Sequence, residues 1–292
     1  MEHSSINCPG CSSTQNSSYL LVKDHFLSKE KFDLMLCEQC DLLFTHPRPD
    51  VLSIGNYYKS EDYVSHSSTK KGLVNQIYNL VRSHTLNKKI KLIASLTNGK
   101  NLLDIGAGTG HFLSKAKLSG FQVTGLEPDN DARKMAATLN NVDLWPIEEL
   151  SNILPASKDI VTMWHVLEHV YNLTDDLTSI STLVKENGVF IIAVPNYTSY
   201  DAQYYKADWA AYDVPRHLYH FSPKSIIHLV EKFGFTHEQT LPMKFDSYYV
   251  SMLSEKYKGG NLLNAIKTGF VSNAKANSDR WSSQIYVFRK NA

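Results

Sequence analysis

A chain of 292 residues, 42% of them hydrophobic, has material for one ordinary domain core and a smaller accessory unit. Its formal net charge of +1 excludes bulk electrostatic attraction to nucleic acid or membrane as the basis of function. The first twenty residues are polar and the longest apolar run, residues 189–194, is too short to span a bilayer, so a cytoplasmic protein is expected.

The only four cysteines fall as two CxxC pairs, Cys8-Pro-Gly-Cys11 and Cys37-Glu-Gln-Cys40. Each short turn aims two sulfurs at one point, and four soft thiolates are the ligand set of a tetrahedral zinc ion. Four protein ligands leave no open position, so the expected metal is structural. Residues 1–50 read as this zinc-ribbon-like module, ending at Pro47-Arg48-Pro49. Residues 51–99 read as a linker and helical lid. Within it, Leu73, Ile77, Leu80 and Val81 share a helical face that Leu86, Ile90 and Ile93 continue. No acidic residue occurs from Tyr63 to Leu103, whereas Lys70, Lys71, Arg82, Lys88, Lys89, Lys91 and Lys100 do. That is either a solvated helix face or the surroundings of a phosphate-bearing substrate.

From residue 100 onward strands and helices alternate, the pattern of a parallel sheet covered by helices on both faces. Strands are expected at 101–105, 121–126, 142–145, 159–163, 189–194, 235–241 and 284–289. Helices are expected at 110–118, 131–139, from an N-cap at Thr174 to Glu186, and after Ser222-Pro223 until Gly234. Between the last two strands, residues of about 244–280 read as a helical cap insertion.

The strand at 101–105 runs into Asp104-Ile-Gly106-Ala-Gly108-Thr-Gly110. Glycines let a ligand approach backbone, and the helix that follows offers its N-terminus. The dinucleotide fingerprint would place glycine at 111, where this chain has His111, and a carboxylate at Asp104 would repel a pyrophosphate. It suits a ligand carrying ammonium and sulfonium charges. The next strand ends at Glu127-Pro128, where an acid can accept both hydroxyls of a ribose or, more blandly, open a helix.

With Glu127, this glycine turn resembles the first motifs of class I S-adenosylmethionine-dependent methyltransferases, and the segments Asp159–Val170 and Gly188–Asn196 are similar to that family too. The resemblance implies a Rossmann-like seven-stranded doubly wound α/β sheet with an antiparallel last strand. It implies that Asp104, Gly106, Gly108 and Gly110 hold the methionine part of S-adenosyl-L-methionine, Glu127 the ribose, and that Ile147 and Glu148 flank the adenine, with Pro128 also in the cofactor site. Trp164 and His165 would face the sulfonium.

An acceptor that must lose a proton needs a base, and histidine is the side chain best poised for that near neutral pH. One group of candidates is His165, Glu168 and His169 at the end of the fourth strand. Their HxxEH spacing also matches a metalloprotease signature, which requires both histidines on one continuous helix. A second group is the loop Tyr212–Phe221, with Arg216, His217 and His220. A third is Tyr63 and His66, in a stretch that resembles bacterial sugar C-methyltransferases with a cysteine-rich zinc module. The expected activity is methylation of a small-molecule acceptor on oxygen or carbon. The alternatives are an RNA methyltransferase gripping nucleic acid through the module, and a non-enzymatic cofactor-binding protein.

Overall fold

A computed structural model describes residues 6–58 and 73–292, with side chains from residue 81 onward in the first helix. Tyr63, His66, Lys70 and Lys71 lie outside the described residues. The strands are β1 (Asn16–Lys23), β2 (Lys31–Cys37), β3 (Leu43–His46), β4 (Asn101–Ile105), β5 (Gln122–Leu126), β6 (Lys158–Trp164), β7 (Val184–Pro195), β8 (Tyr219–His220), β9 (Phe235–Pro242) and β10 (Ser283–Lys290). The α-helices are α1 (Leu73–Leu96), α2 (His111–Leu118), α3 (Asn130–Asn140), α4 (Leu173–Leu183), α5 (Tyr200–Tyr205), α6 (Pro223–Glu231), α7 (Asp246–Lys258) and α8 (Leu262–Lys275).

The large sheet has the order β5-β4-β6-β7-β10-β9, and β10 runs antiparallel to both neighbours, as expected. Along β6, successive side chains enter opposite layers, the period-two consequence of strand geometry. Val161 and Met163 pack with α4 and α6, while Ile160 and Trp164 meet α1 and α2. Both faces are thereby covered, which is why Val189 to Val194 is an unbroken apolar run.

Six strands form where seven were expected. The segment 142–145 contributes a single parallel bridge, Trp145 to Leu126. Trp145 exchanges both backbone bonds with the β5 edge, and Pro146, which has no N–H to donate, follows at once. A second difference lies between α4 and β7. The N-cap is Asn172 and Thr174 sits inside the helix, which ends at Leu183. Val184 is extended and pairs with Lys158, so the strand starts earlier than the core run predicts. At α6 the expectation holds, because Ser222 and Ser225 form a reciprocal capping box with Pro223 at the first turn.

The small sheet has the order β1-β2-β3-β8. Its fourth strand comes from the loop after β7, so the cysteine-bearing sheet is completed by the same residues that carry the second group of candidates. Thr45 N–H donates to Leu218 O at 3.0 Å and Thr45 Oγ1 to His217 O at 2.7 Å.

Candidate active site

The turn after β4 is held in a conformation that glycine tolerates. Gly106, Gly108 and Gly110 have φ of +71°, +54° and +77°. The Gly106 and Ala107 amides both donate to Leu126 O, at 2.8 and 2.9 Å, which ties the turn to the end of β5. A Cβ on Gly106 would meet Val166 Cγ2 at 2.4 Å, whereas one on Gly108 would have nothing within 4 Å. The glycines therefore do different jobs: Gly106 allows close packing, and Gly108 leaves space.

Glu127 is buried at the end of β5, and two amides aim its carboxylate. Gly108 N–H donates to Oε2 at 2.7 Å and Asp129 N–H to Oε1 at 3.0 Å. Burial pushes its carboxyl up, against those two bonds. The helix-opening role belongs instead to Asp129, which caps α3 by accepting from Ala132 N–H at 2.7 Å. Pro128 and Glu148 are exposed, and Ile147 packs half-buried beyond the Trp145 bridge.

Asp104 is 2% exposed and accepts a bond from Thr162 Oγ1 at 2.5 Å. Burial pushes its carboxyl up to about 7, against the Thr162 bond and the charge of Lys89. Lys89 reaches in from α1, its Nζ 3.9 Å from the centre of the Trp164 ring. Burial depresses the ammonium to about 8, while Asp104 and Asp246 oppose the shift. Lys88 and Lys91 stay exposed on the outer side of the same helix, so the basic stretch is partly a solvated face and partly a site residue. The Trp164 Nε1 has no hydrogen-bond partner among the described residues. A buried carboxylate, an open space over Gly108 and an orphaned indole N–H together fit a bound ligand with an amine and a ribose.

Next along the chain, His165 spans two carboxylates. Its Nδ1 lies 3.3 Å from Glu168 Oε1 and its Nε2 3.2 Å from Asp246 Oδ2. Burial alone would depress this imidazole, but the nearby carboxylates of Asp246 and Glu168 outweigh it and push it up to about 10. His165 is thus an imidazolium at neutral pH, a cation and donor rather than a base.

The structure brings the first two groups of candidates together. Leu218 N–H donates to Glu168 O at 2.7 Å, and the His169 and His217 rings stand edge to face with centroids 4.5 Å apart. His169 Nδ1 lies 3.1 Å from Arg216 O and 3.0 Å from Tyr58 Oη. Burial, with the charge of His217, pushes His169 down to about 4. The His220 ring lies 6.4 Å from that of His217, centre to centre. It is enclosed, its Nε2 3.1 Å from Thr45 Oγ1, and burial holds it well below the usual histidine range. Arg216 is a buried structural cation, bonded to Asp213 at 2.6 Å and to Asp24 at 3.2 Å, and is no phosphate anchor. The protease reading fails because residues 165–170 form a turn beyond β6 and no helix carries both histidines.

Cys8, Cys37 and Cys40 are buried, and Cys11 is half-buried. The Sγ atoms of Cys8 and Cys40 are 3.6 Å apart and those of Cys11 and Cys37 are 3.5 Å apart. Four sulfurs around a tetrahedral zinc at about 2.3 Å stand about 3.8 Å from one another, so the donor set fits the metal. Lys89, Thr162, Tyr58 and Asp246 were not singled out as site residues in the sequence. Lys89 stood in the basic stretch, but no spacing signal marks which lysine turns inward.

A family profile described as a methyltransferase domain matches residues 78–240, and this chain belongs to that family. It is an S-adenosylmethionine-dependent methyltransferase. A ubiquinone biosynthesis O-methyltransferase of Rickettsia bellii is 28% identical over 193 residues, covering 60% of this chain and 79% of the relative. A protein of the same description from Photobacterium profundum is 38% identical over 98 residues, 31% of this chain and 41% of that one. Among solved structures, magnesium protoporphyrin IX methyltransferase from Synechocystis PCC 6803 shares the fold with a TM-score of 0.55 at 13% identity, covering 83% of this chain and all of that one. A SAM-dependent methyltransferase from Archaeoglobus fulgidus aligns with a TM-score of 0.51 at 18% identity, covering 72% and 94%.

Proposed function

We infer that the enzyme moves a methyl group from S-adenosyl-L-methionine to an oxygen of a small-molecule acceptor. The observation that carries this reading is the pairing of buried Asp104 with amide-aimed Glu127 around the open space at Gly108. The cofactor supplies an already activated methyl group, so positioning is the protein's main contribution. Asp104 and the glycine turn hold the methionine end, Glu127 and Pro128 the ribose, and Ile147 and Glu148 flank the base. Trp164 and the imidazolium of His165 form the wall between cofactor and acceptor.

The acceptor group is formed by Glu168, His169 and His217, beyond His165. A hydroxyl acceptor passes its proton to Glu168, whose buried carboxylate lies 3.3 Å from the His165 imidazolium. The relatives described as O-methyltransferases support an oxygen acceptor. Tyr63 and His66, outside the described residues, remain proposed members of the site. The four cysteines hold a structural zinc ion, supported by their sulfur spacing. The test is transfer of a labelled methyl group into a metabolite extract, followed by mass spectrometry of the labelled product. Glu168→Gln should lower the rate 10²- to 10⁴-fold while leaving affinity for S-adenosylhomocysteine unchanged. A Glu168→Gln enzyme that transfers at the wild-type rate overturns this assignment.

A further inference from the structure

We propose that Glu168, His169 and His217 form a binding site for a divalent transition-metal ion, separate from the four cysteines. One ligand atom from each side chain lies within 4.8 Å of the others. Two imidazoles and one carboxylate are a donor set that suits zinc, iron(II), cobalt or manganese.

The surroundings set the imidazoles up as ligands. His217 Nδ1 lies 2.8 Å from Ala211 O, and His169 Nδ1 lies 3.1 Å from Arg216 O. A carbonyl can only accept, so each Nδ1 carries a hydrogen, and in the neutral ring, the form that binds a metal, each Nε2 keeps its lone pair. Donation of the far ring N–H to a carbonyl is how metal-bound histidines are commonly oriented. Tyr58 Oη, 3.0 Å from His169 Nδ1, braces the same ring.

Glu168 supplies the second observation. Its side chain is 1% exposed, and neither Oε1 nor Oε2 has a hydrogen-bond partner among the described residues. The nearest cation is His165, whose Nδ1 is 3.3 Å from Oε1 without hydrogen-bond alignment. His165 offsets the charge at Oε1 only, and a buried carboxylate whose Oε2 has no partner among the described residues is costly unless a further donor or cation completes its shell. Three acceptors gathered in one place are stabilised by a cation between them. Ligand atoms around an ion at about 2.1 Å stand about 3–3.5 Å apart, so binding draws the group together by about 1 Å, a side-chain adjustment.

Three protein ligands leave coordination positions open, and an oxygen donor suits them. This deepens the reading of the acceptor site given above and rests on it only for the identity of that oxygen donor. With the ion in place, the three side chains meet the acceptor through it.

Bound metal is the readout, independent of methyl transfer. Full-length protein is treated with a mild chelator, incubated with Co(II), desalted and assayed for metal per chain, alongside Glu168→Gln and His169→Gln. The wild type is expected to gain one equivalent beyond the ion that the cysteines retain. Each variant is expected to lose that equivalent, with affinity for Co(II) falling at least about 100-fold. His169 is only half-buried, so its variant carries the test if Glu168→Gln does not fold. Wild-type protein that gains no equivalent, or a folded variant that gains it as the wild type does, overturns the proposal. Metal binding as expected in an enzyme that transfers no methyl group would leave this site standing and remove the acceptor reading alone.

Discussion

Replacing Gly108 with alanine separates the cofactor role of the glycine turn from its structural role. A Cβ at this position meets nothing within 4 Å, so the folded chain has room for it. The remaining cost is the left-handed backbone at φ +54°, about 1–2 kcal/mol for a residue with a side chain. In a chain of this length that lowers Tm by roughly 2–6 °C. In the proposed site that space is taken by the methionine end of the ligand, so affinity for S-adenosylhomocysteine should drop at least about 100-fold, or about 2.7 kcal/mol. Gly106→Ala is the control. Its Cβ would sit 2.4 Å from Val166 Cγ2, adding about 1–3 kcal/mol of overpacking to the same backbone cost, so its Tm falls further. Scanning calorimetry and titration calorimetry on both variants supply the numbers. Wild-type affinity in a Gly108→Ala protein that melts only a few degrees lower would refute the placement of the ligand over that glycine.

Asp104 makes cofactor affinity depend on pH. Burial holds its carboxyl up at about 7, so protonation below that value removes the charge that receives the ligand's ammonium. Affinity for S-adenosylhomocysteine should weaken about tenfold per unit of pH below about 7, and a flat profile from pH 5.5 to 8 would contradict this. The linked stability runs the other way. The folded group's value is raised above the ordinary aspartate value of about 3.9, so the stabilisation it gives below about pH 4 is lost as pH rises to about 7, and the ligand-free Tm falls across that window. Arg216→Met would leave Asp24 and Asp213 without their cation, at a cost of about 3–5 kcal/mol, read as a Tm lower by roughly 10 °C. An unchanged Tm would show the ion pairs to be incidental. If the four cysteines hold the proposed zinc, a strong chelator should loosen the small sheet and with it β8, so amide exchange at Tyr219 and His220 should accelerate together with that of β3. Faster exchange confined to residues 6–46 would show the two parts to be independent.

The proposed cofactor cradle was legible in the sequence because its parts are local. Asp104, the three glycines and the start of α2 follow one another along the chain, and Glu127 ends the very next strand. The proposed acceptor group was legible only as separate fragments. His169 and His217 lie 48 residues apart and meet because Leu218 bonds Glu168 O, a contact that no periodicity announces. Asp246, the second carboxylate on His165, sits at the start of α7, between β9 and β10. Only the fold brings it to β6. The third expected strand shrank to one bridge because pattern alone does not weigh the proline after Trp145. The two-residue β8 is too short to carry any alternation, so the union of the cysteine sheet with the methyltransferase sheet's loop could not be seen beforehand.

The most direct measurement is a crystal structure of the protein grown with S-adenosylhomocysteine. The account predicts the amino group against Asp104, backbone contact over Gly108 and both ribose hydroxyls on Glu127. A nucleoside bound anywhere else in the molecule, or turned so that Glu127 meets no hydroxyl, would contradict it.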